Sequence, residues 1–177
     1  MMRTIVAPPR MDDAPLADLK AWLSLTTRNE DALLTDLLDA AVRLCEQFTG
    51  LVPLPTTFEE QVSPLRAHAT LVTRPVRQIV AIETVAPDGS RADASAMVET
   101  GLQADGTAWV RARGPIHGRL AVRIEAGAAD SWATLDASLA QGIVRLAAHH
   151  YRMRDGDRDV MPTAVVALWR PHRRLRL

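Results

Sequence analysis

Between Leu34 and Phe48 the apolar side chains Leu34, Leu37, Leu38, Ala41, Cys45 and Phe48 return every three or four positions. Asp31, Asp36, Asp39, Arg43 and Glu46 fall mostly between them. That period predicts a helix over about 28–48 with one buried face. Gly50 supplies its stop, and Thr27 with Glu30 forms a capping box at its start. A shorter run of the same kind, Leu16, Leu19, Trp22 and Leu23, predicts a first helix over about 15–24. Pro15 opens it at a position where the missing N–H costs nothing. Two helices joined by a few polar residues pack as an antiparallel hairpin. Residues 1–14, with Pro8, Pro9, Asp12 and Asp13, read as an extended arm.

The period changes after Leu51. Pro53, Pro55 and Pro64 break any helix. Short runs rich in β-branched residues follow at 57–62, 69–73, 79–86, 108–112 and 119–125. Pro87-Asp88-Gly89-Ser90 is a strong turn between two of them. Gly114-Pro115 and His117-Gly118 mark another reversal. Alternation is clear in Trp109-Val110-Arg111-Ala112-Arg113 and in Leu120-Ala121-Val122-Arg123-Ile124. Residues 51–129 are thus predicted to form a small, mostly antiparallel β-rich insertion with one solvated face.

Helical spacing returns near Thr134. Leu135, Leu139, Ile143, Leu146, Ala147 and His150 share a face, which Val144, Ala148 and Tyr151 widen. A helix apolar over more than one stripe is central in a bundle. Gly142 weakens it locally and allows close approach of another helix. Arg152-Met153-Arg154-Asp155-Gly156 ends it, and Pro162 opens a last short helix, Thr163–Trp169. Pro171 closes that helix, leaving a tail, 170–177, rich in arginine and carrying Leu175 and Leu177. The fold class predicted is α+β. A helical bundle comes from both chain ends (15–50 and 130–169), and the β-rich insertion lies between the second and third main helices.

Length and composition narrow the picture only a little. At 177 residues, 47% hydrophobic and 24% charged, the chain suits a globular domain with a real core. The formal net charge is zero, yet five basic residues face ten acidic ones in positions 1–60, and sixteen face eleven afterwards. An acidic front and a basic back suit a protein whose two ends meet different partners, or copies of itself. Ordinary surface charge is the plainer alternative. Lys20 is the only lysine. Cys45, the only cysteine, lies on the apolar face of the second helix and reads as a buried structural thiol. The N-terminus lacks the continuous apolar stretch of a signal peptide. No apolar run approaches the roughly 20 residues that span a bilayer. Synthesis and use in a cytoplasm are therefore expected.

Candidate chemistry is sparse. His149 and His150 are adjacent, so on a helix they point about 100° apart, unlike the i, i+4 pairs that bind metals. A structural or interface role is the expected one, and a metal-dependent enzyme the weaker alternative. Asp155, Asp157 and Asp159 alternate as in a calcium loop, but the interspersed arginines and the missing distal glutamate favour a solvated link. Phosphate loops, dinucleotide fingerprints and nucleophile elbows are missing from the sequence. The tail has three readings. It can neutralise nucleic-acid phosphates as part of a DNA-binding regulator. It can dock on an acidic protein groove with Trp169, Leu175 and Leu177 as apolar anchors. Or it can be a frayed end. The mixture of leucine with arginine favours docking.

Four motifs, in order, carry a resemblance. Leu16-Ala17-Asp18-Leu19-Lys20-Ala21-Trp22-Leu23 is followed by Asn29-Glu30-Asp31-Ala32-Leu33-Leu34. Glu46-Gln47-Phe48-Thr49-Gly50 ends the second helix. Ala147-Ala148-His149-His150-Tyr151-Arg152-Met153-Arg154 ends the third. Met161-Pro162, then Trp169-Arg170-Pro171-His172-Arg173, close the chain. Together they resemble the head–tail connector adaptor family of long-tailed bacteriophages and gene transfer agents. His150 stands where many relatives carry an aromatic residue. The β-rich centre matches only in position and character.

The resemblance implies a structural protein, with no catalytic residue, metal or cofactor. It implies a ring of copies of this chain, usually dodecameric, beneath the portal protein at the capsid vertex. The ring would extend the DNA channel, pass DNA without reading its sequence, and receive a downstream stopper or tail-completion protein. No membrane is involved. The protein would be made in the bacterial cytoplasm and work in the particle neck. Carried over residue by residue, the portal-docking set would be Trp169, Arg170, Arg173, Arg174, Leu175, Arg176 and Leu177. Asp31, Asp36 and Asp39 would be candidates for subunit contacts or the channel wall. A ring needs heterologous interfaces, which an acidic front and a basic back can provide.

Overall fold

The computed structural model describes residues 2–9, 11–63, 68–153 and 161–173. The chain is α+β and divides into two compact units. Met1–Pro9 and Pro55–Ala128 make one, Arg10–Leu54 and Ala129–Leu177 the other.

The first unit is all β. Its strands are β1 (Met2–Ala7), β2 (Thr56–Val62), β3 (Ala69–Thr70), β4 (Val76–Val85), β5 (Arg91–Asp93), β6 (Val98–Leu102), β7 (Ala108–Ala112) and β8 (Arg119–Ala126). Five form one antiparallel sheet in the order β1-β2-β8-β4-β5, and three form a second, β3-β7-β6. Thr56, Phe58, Glu60 and Val62 of β2 point inward while the residues between them are half-buried, the period-2 signature of a strand with one packed face. The central strand, β8, buries Leu120, Ala121, Val122, Ile124 and Ala126. The turn expected at 87–90 joins β4 to β5: Gly89 has φ +86°, and Asp88 Oδ1 accepts from Ser90 N–H and Oγ–H at 2.9 and 2.7 Å. Glu60 is fully buried. Its carboxylate accepts the N–H groups of Val72 (2.9 Å) and Thr73 (2.6 Å), so the buried charge is hydrogen-bonded, as it must be.

Three strands were not expected. Residues 2–7, read as part of an arm, pair along β2 from Met2↔Gln61 to Ala7↔Thr57. All six are exposed, so the inside/outside alternation that betrays a strand is missing there. β5 has three exposed residues, and β6 contains Gly101, which weakens its strand signal. The Gly114–Gly118 reversal does not make a hairpin, because β7 and β8 belong to different sheets.

The second unit is helical: α1 (Ala14–Leu23), α2 (Asp31–Thr49), α3 (Ala137–Arg152) and α4 (Thr163–Trp169). Its core joins Leu19 of α1, Leu34, Leu38, Ala41 and Cys45 of α2, Ile143, Leu146 and Ala147 of α3, and Val165 and Trp169 of α4. The wide stripe on α3 lets it pack against all three of the other helices. The capping box at Thr27 and Glu30 is not formed. Helix α2 starts at Asp31, and its N-cap Glu30 makes no side-chain cap bond. The Glu30 carboxylate instead accepts the hydroxyl of Tyr151, at the end of α3, so a tertiary partner displaces the local one. Burial pushes the Cys45 thiol up to about 12, as suits a structural rather than reactive cysteine.

Candidate functional site

The C-terminal segment is anchored before it reaches the surface. Pro162 precedes α4, and Val165 and Trp169, four residues apart, both face the core. The Trp169 indole is fully buried. It donates to the Leu139 carbonyl at 3.3 Å and lies 6.0 Å from the Phe48 ring, tilted by 48°. Gly142 of α3 makes room for it: a Cβ there would sit 2.1 Å from Trp169 Nε1, a separation no side chain tolerates. Trp169 was expected among the portal-docking residues. In the structure its side chain has no exposed surface and holds the segment down, leaving the exposed positions to its neighbours.

Those neighbours are placed by a second set of bonds. Arg170–His172 form one 3-10 turn. His172 Nε2 lies 2.7 Å from Ser138 Oγ and 3.4 Å from Asp136 Oδ1, tying the turn to the start of α3. The Arg173 guanidinium sits 5.6 Å above the Phe48 ring. Arg170 and Arg173 are exposed. Arg174, Leu175, Arg176 and Leu177 lie outside the described residues, as do Asp155, Asp157 and Asp159.

Asp136 serves both α3 and the turn. Its Oδ1 accepts Ser138 N–H (2.8 Å) and Ser138 Oγ–H (2.6 Å), an N-cap for α3. These bonds hold its carboxyl below the usual carboxylate range, and His172 adds a smaller pull in the same direction. A lowered native pKa gives stability that is present above the unfolded value and lost as pH falls through the folded one. Asp136→Ala is therefore expected to cost about 1 kcal/mol at pH 7. The gap from wild type should close as pH drops below about 4. Urea melts of both proteins at pH 7 and pH 3 check this; an equal gap at both would show that the carboxylate charge is not what caps α3.

The three acidic candidates separate. Asp31 is already paired with Lys20 at 2.6 Å. Asp36 is exposed. Asp39, half-buried on the next turn, has its carboxyl pushed up by burial and by Asp36, against the opposing pull of Arg43. His149 and His150 are half-buried, with ring centroids 6.0 Å apart and tilted by 54°. Among the described residues, no three His, Cys, Asp or Glu side chains come together as a metal site, and no helix is long and apolar enough to cross a membrane.

One surface feature went unread in the sequence. A groove of about 260 Å³ on the helical unit is lined by Asp18, Trp22, Trp132, Ala140, Gln141, Val144 and Arg145. The Trp132 indole N–H donates to Asp18 Oδ2 at 2.8 Å. The Arg145 guanidinium lies 5.1 Å above the Trp22 ring, and Trp22 is 47% exposed. Its spacing from Leu19 made Trp22 look like core. The one available signal was Arg145, which interrupts the apolar run between Val144 and Leu146.

No family model matches the chain, and no curated protein matches its sequence. Solved structures do share its fold from end to end. A chain in the neck of an empty gene transfer agent particle, computed with C6 symmetry, is 27% identical with a TM-score of 0.81. Chains in the virion of the native particle, and in its neck computed with C12 symmetry, are each 26% identical with TM-scores of 0.79. In all three the match covers 100% of this chain and 97% of the other. These likenesses support a structural head–tail connector role. The likeness spans both units of this chain, the β unit that the four motifs left almost unmarked as well as the helical one.

Proposed function

We propose that this connector forms a ring in the neck of a gene transfer agent or tailed-phage particle. The ring lies beneath the portal, continues the DNA channel and receives the tail-side components. The observation that carries this reading is the end-to-end match to chains of particle necks with C6 and C12 symmetry. Motifs spread over both chain ends support it independently, because each falls on an element of the helical unit. The role is structural: it asks the chain for complementary surfaces and a firm attachment point, and for no catalytic group.

Within this reading Arg170 and Arg173, with Arg174, Leu175, Arg176 and Leu177 beyond them, make the contact with the portal. Trp169 and His172 set the direction in which they leave the helical unit. Arginine suits such a contact because its planar fork binds carboxylates two bonds at a time. Removing the gene from the producing cell tests the reading. Heads that fill with DNA but carry no tails are expected, with tails restored by supplying the gene in trans. Normal tails in its absence would end the proposal.

A further inference from the structure

The helical unit exposes two patches that differ in kind. The first is the groove between α1 and α3. Its floor is apolar and aromatic, and its cation is poorly matched. Arg145 Nε is buried without a hydrogen-bond acceptor, and no carboxylate among the described residues pairs with that guanidinium. The groove's own acid, Asp18, is engaged by Trp132. The second patch is on α2, on the side away from Leu34, Leu38 and Ala41. It presents Leu33, 37% exposed, and one turn on, Asp36.

We propose that the groove of one subunit receives the Leu33–Asp36 stripe of the next copy in the ring, with Leu33 against Trp22 and the Asp36 carboxylate on Arg145. The inference rests on the ring reading and says which surfaces close it. A cyclic ring joins one face of a subunit to a different face of its neighbour, so a single chain must carry both halves of the contact. This one does. An exposed tryptophan beneath an arginine is the composition of an interface anchor, and a leucine with a carboxylate at i, i+3 is its complement in shape and charge. Asp39, beside Asp36, adds a second acid whose charge is poorly solvated in the lone subunit.

The test uses particles in which a variant is the sole copy. Arg145→Glu sets acid against acid at every contact, and Asp36→Arg sets base against base. Like charges juxtaposed across an interface are costly, so each variant alone should cut tailed particles roughly a hundredfold. Co-expressed, the two variants can alternate around an even-numbered ring so that every groove meets its complement. Tailed particles should then return to near the wild-type yield. The double variant in one chain should also recover. Asp36 is exposed and Arg145 half-buried, so thermal melts of the purified variants check that each stays folded, with Asp36→Arg close to wild type.

A second readout needs no charge change. Trp22→Cys and Leu33→Cys in one chain should give a disulfide-linked ladder of subunits from oxidised particles, with buried Cys45 standing aside. Each single-cysteine variant should give no ladder. Full assembly by either charge variant alone overturns the contact. Failure of both rescues with folded protein, or an absent ladder, overturns it too and leaves the ring reading standing. Wild-type protein missing from the neck would instead overturn the ring reading itself.

Discussion

Trp169→Ala is expected to destabilise the helical unit by about 3–5 kcal/mol, among the largest effects a single core substitution can have. The indole is fully buried, so its removal forfeits the transfer free energy of a large side chain and leaves a cavity. The site cannot collapse easily. Its floor is Gly142, where no side chain is available to move in, and its wall is the rigid ring of Phe48. The bond to the Leu139 carbonyl goes as well. The loss should appear as a lower denaturation midpoint in the helical circular-dichroism signal. A cost under about 1 kcal/mol would place Trp169 outside a packed core. The same variant should impair tail attachment even where it remains folded, because the turn that carries Arg170 and Arg173 starts from this residue.

The second large effect is on assembly rather than stability. A chain ending after His172 keeps Trp169 in the core and His172 on Ser138, and loses the arginines and leucines beyond. Among described contacts it forfeits the Arg173 N–H bond to the Arg170 carbonyl (3.1 Å) and Arg173 over Phe48, an exposed cation–π pair worth about 0.5–1 kcal/mol. Its melting should therefore stay near that of the full chain, while its particles should lack tails almost entirely. Tail attachment at the wild-type level by this folded, shortened protein would sink the docking claim. The contrast between the two variants is informative: one removes the foundation, the other only the contact that stands on it.

Much of this was legible in the sequence for physical reasons. Helices α2 and α3 show a clear 3.6-residue period, and Pro15, Gly50 and Pro162 punctuate the helical segments where backbone chemistry requires it. Strands β2 and β8 announce themselves because one or both faces are buried. Strand β1 does not, because an edge strand with all its side chains in solvent has no pattern to read. The capping box at Thr27 failed because Glu30 found a better partner 121 residues away in Tyr151. Trp169 is the instructive case. The docking reading weighed its neighbourhood of arginines, whereas its spacing of four from Val165 already put it on the buried face. The groove around Trp22 lay beyond reach, since it exists only once α1 packs on α3.

The most direct test of the central claim is a reconstruction of the particle neck from cells that produce this protein. The account predicts a ring of this chain between portal and tail, with the helical unit's Arg170–Arg173 turn directed at the portal and the groove at Arg145 filled by the neighbouring subunit. A neck built of other chains, with this fold absent from it, would contradict the account.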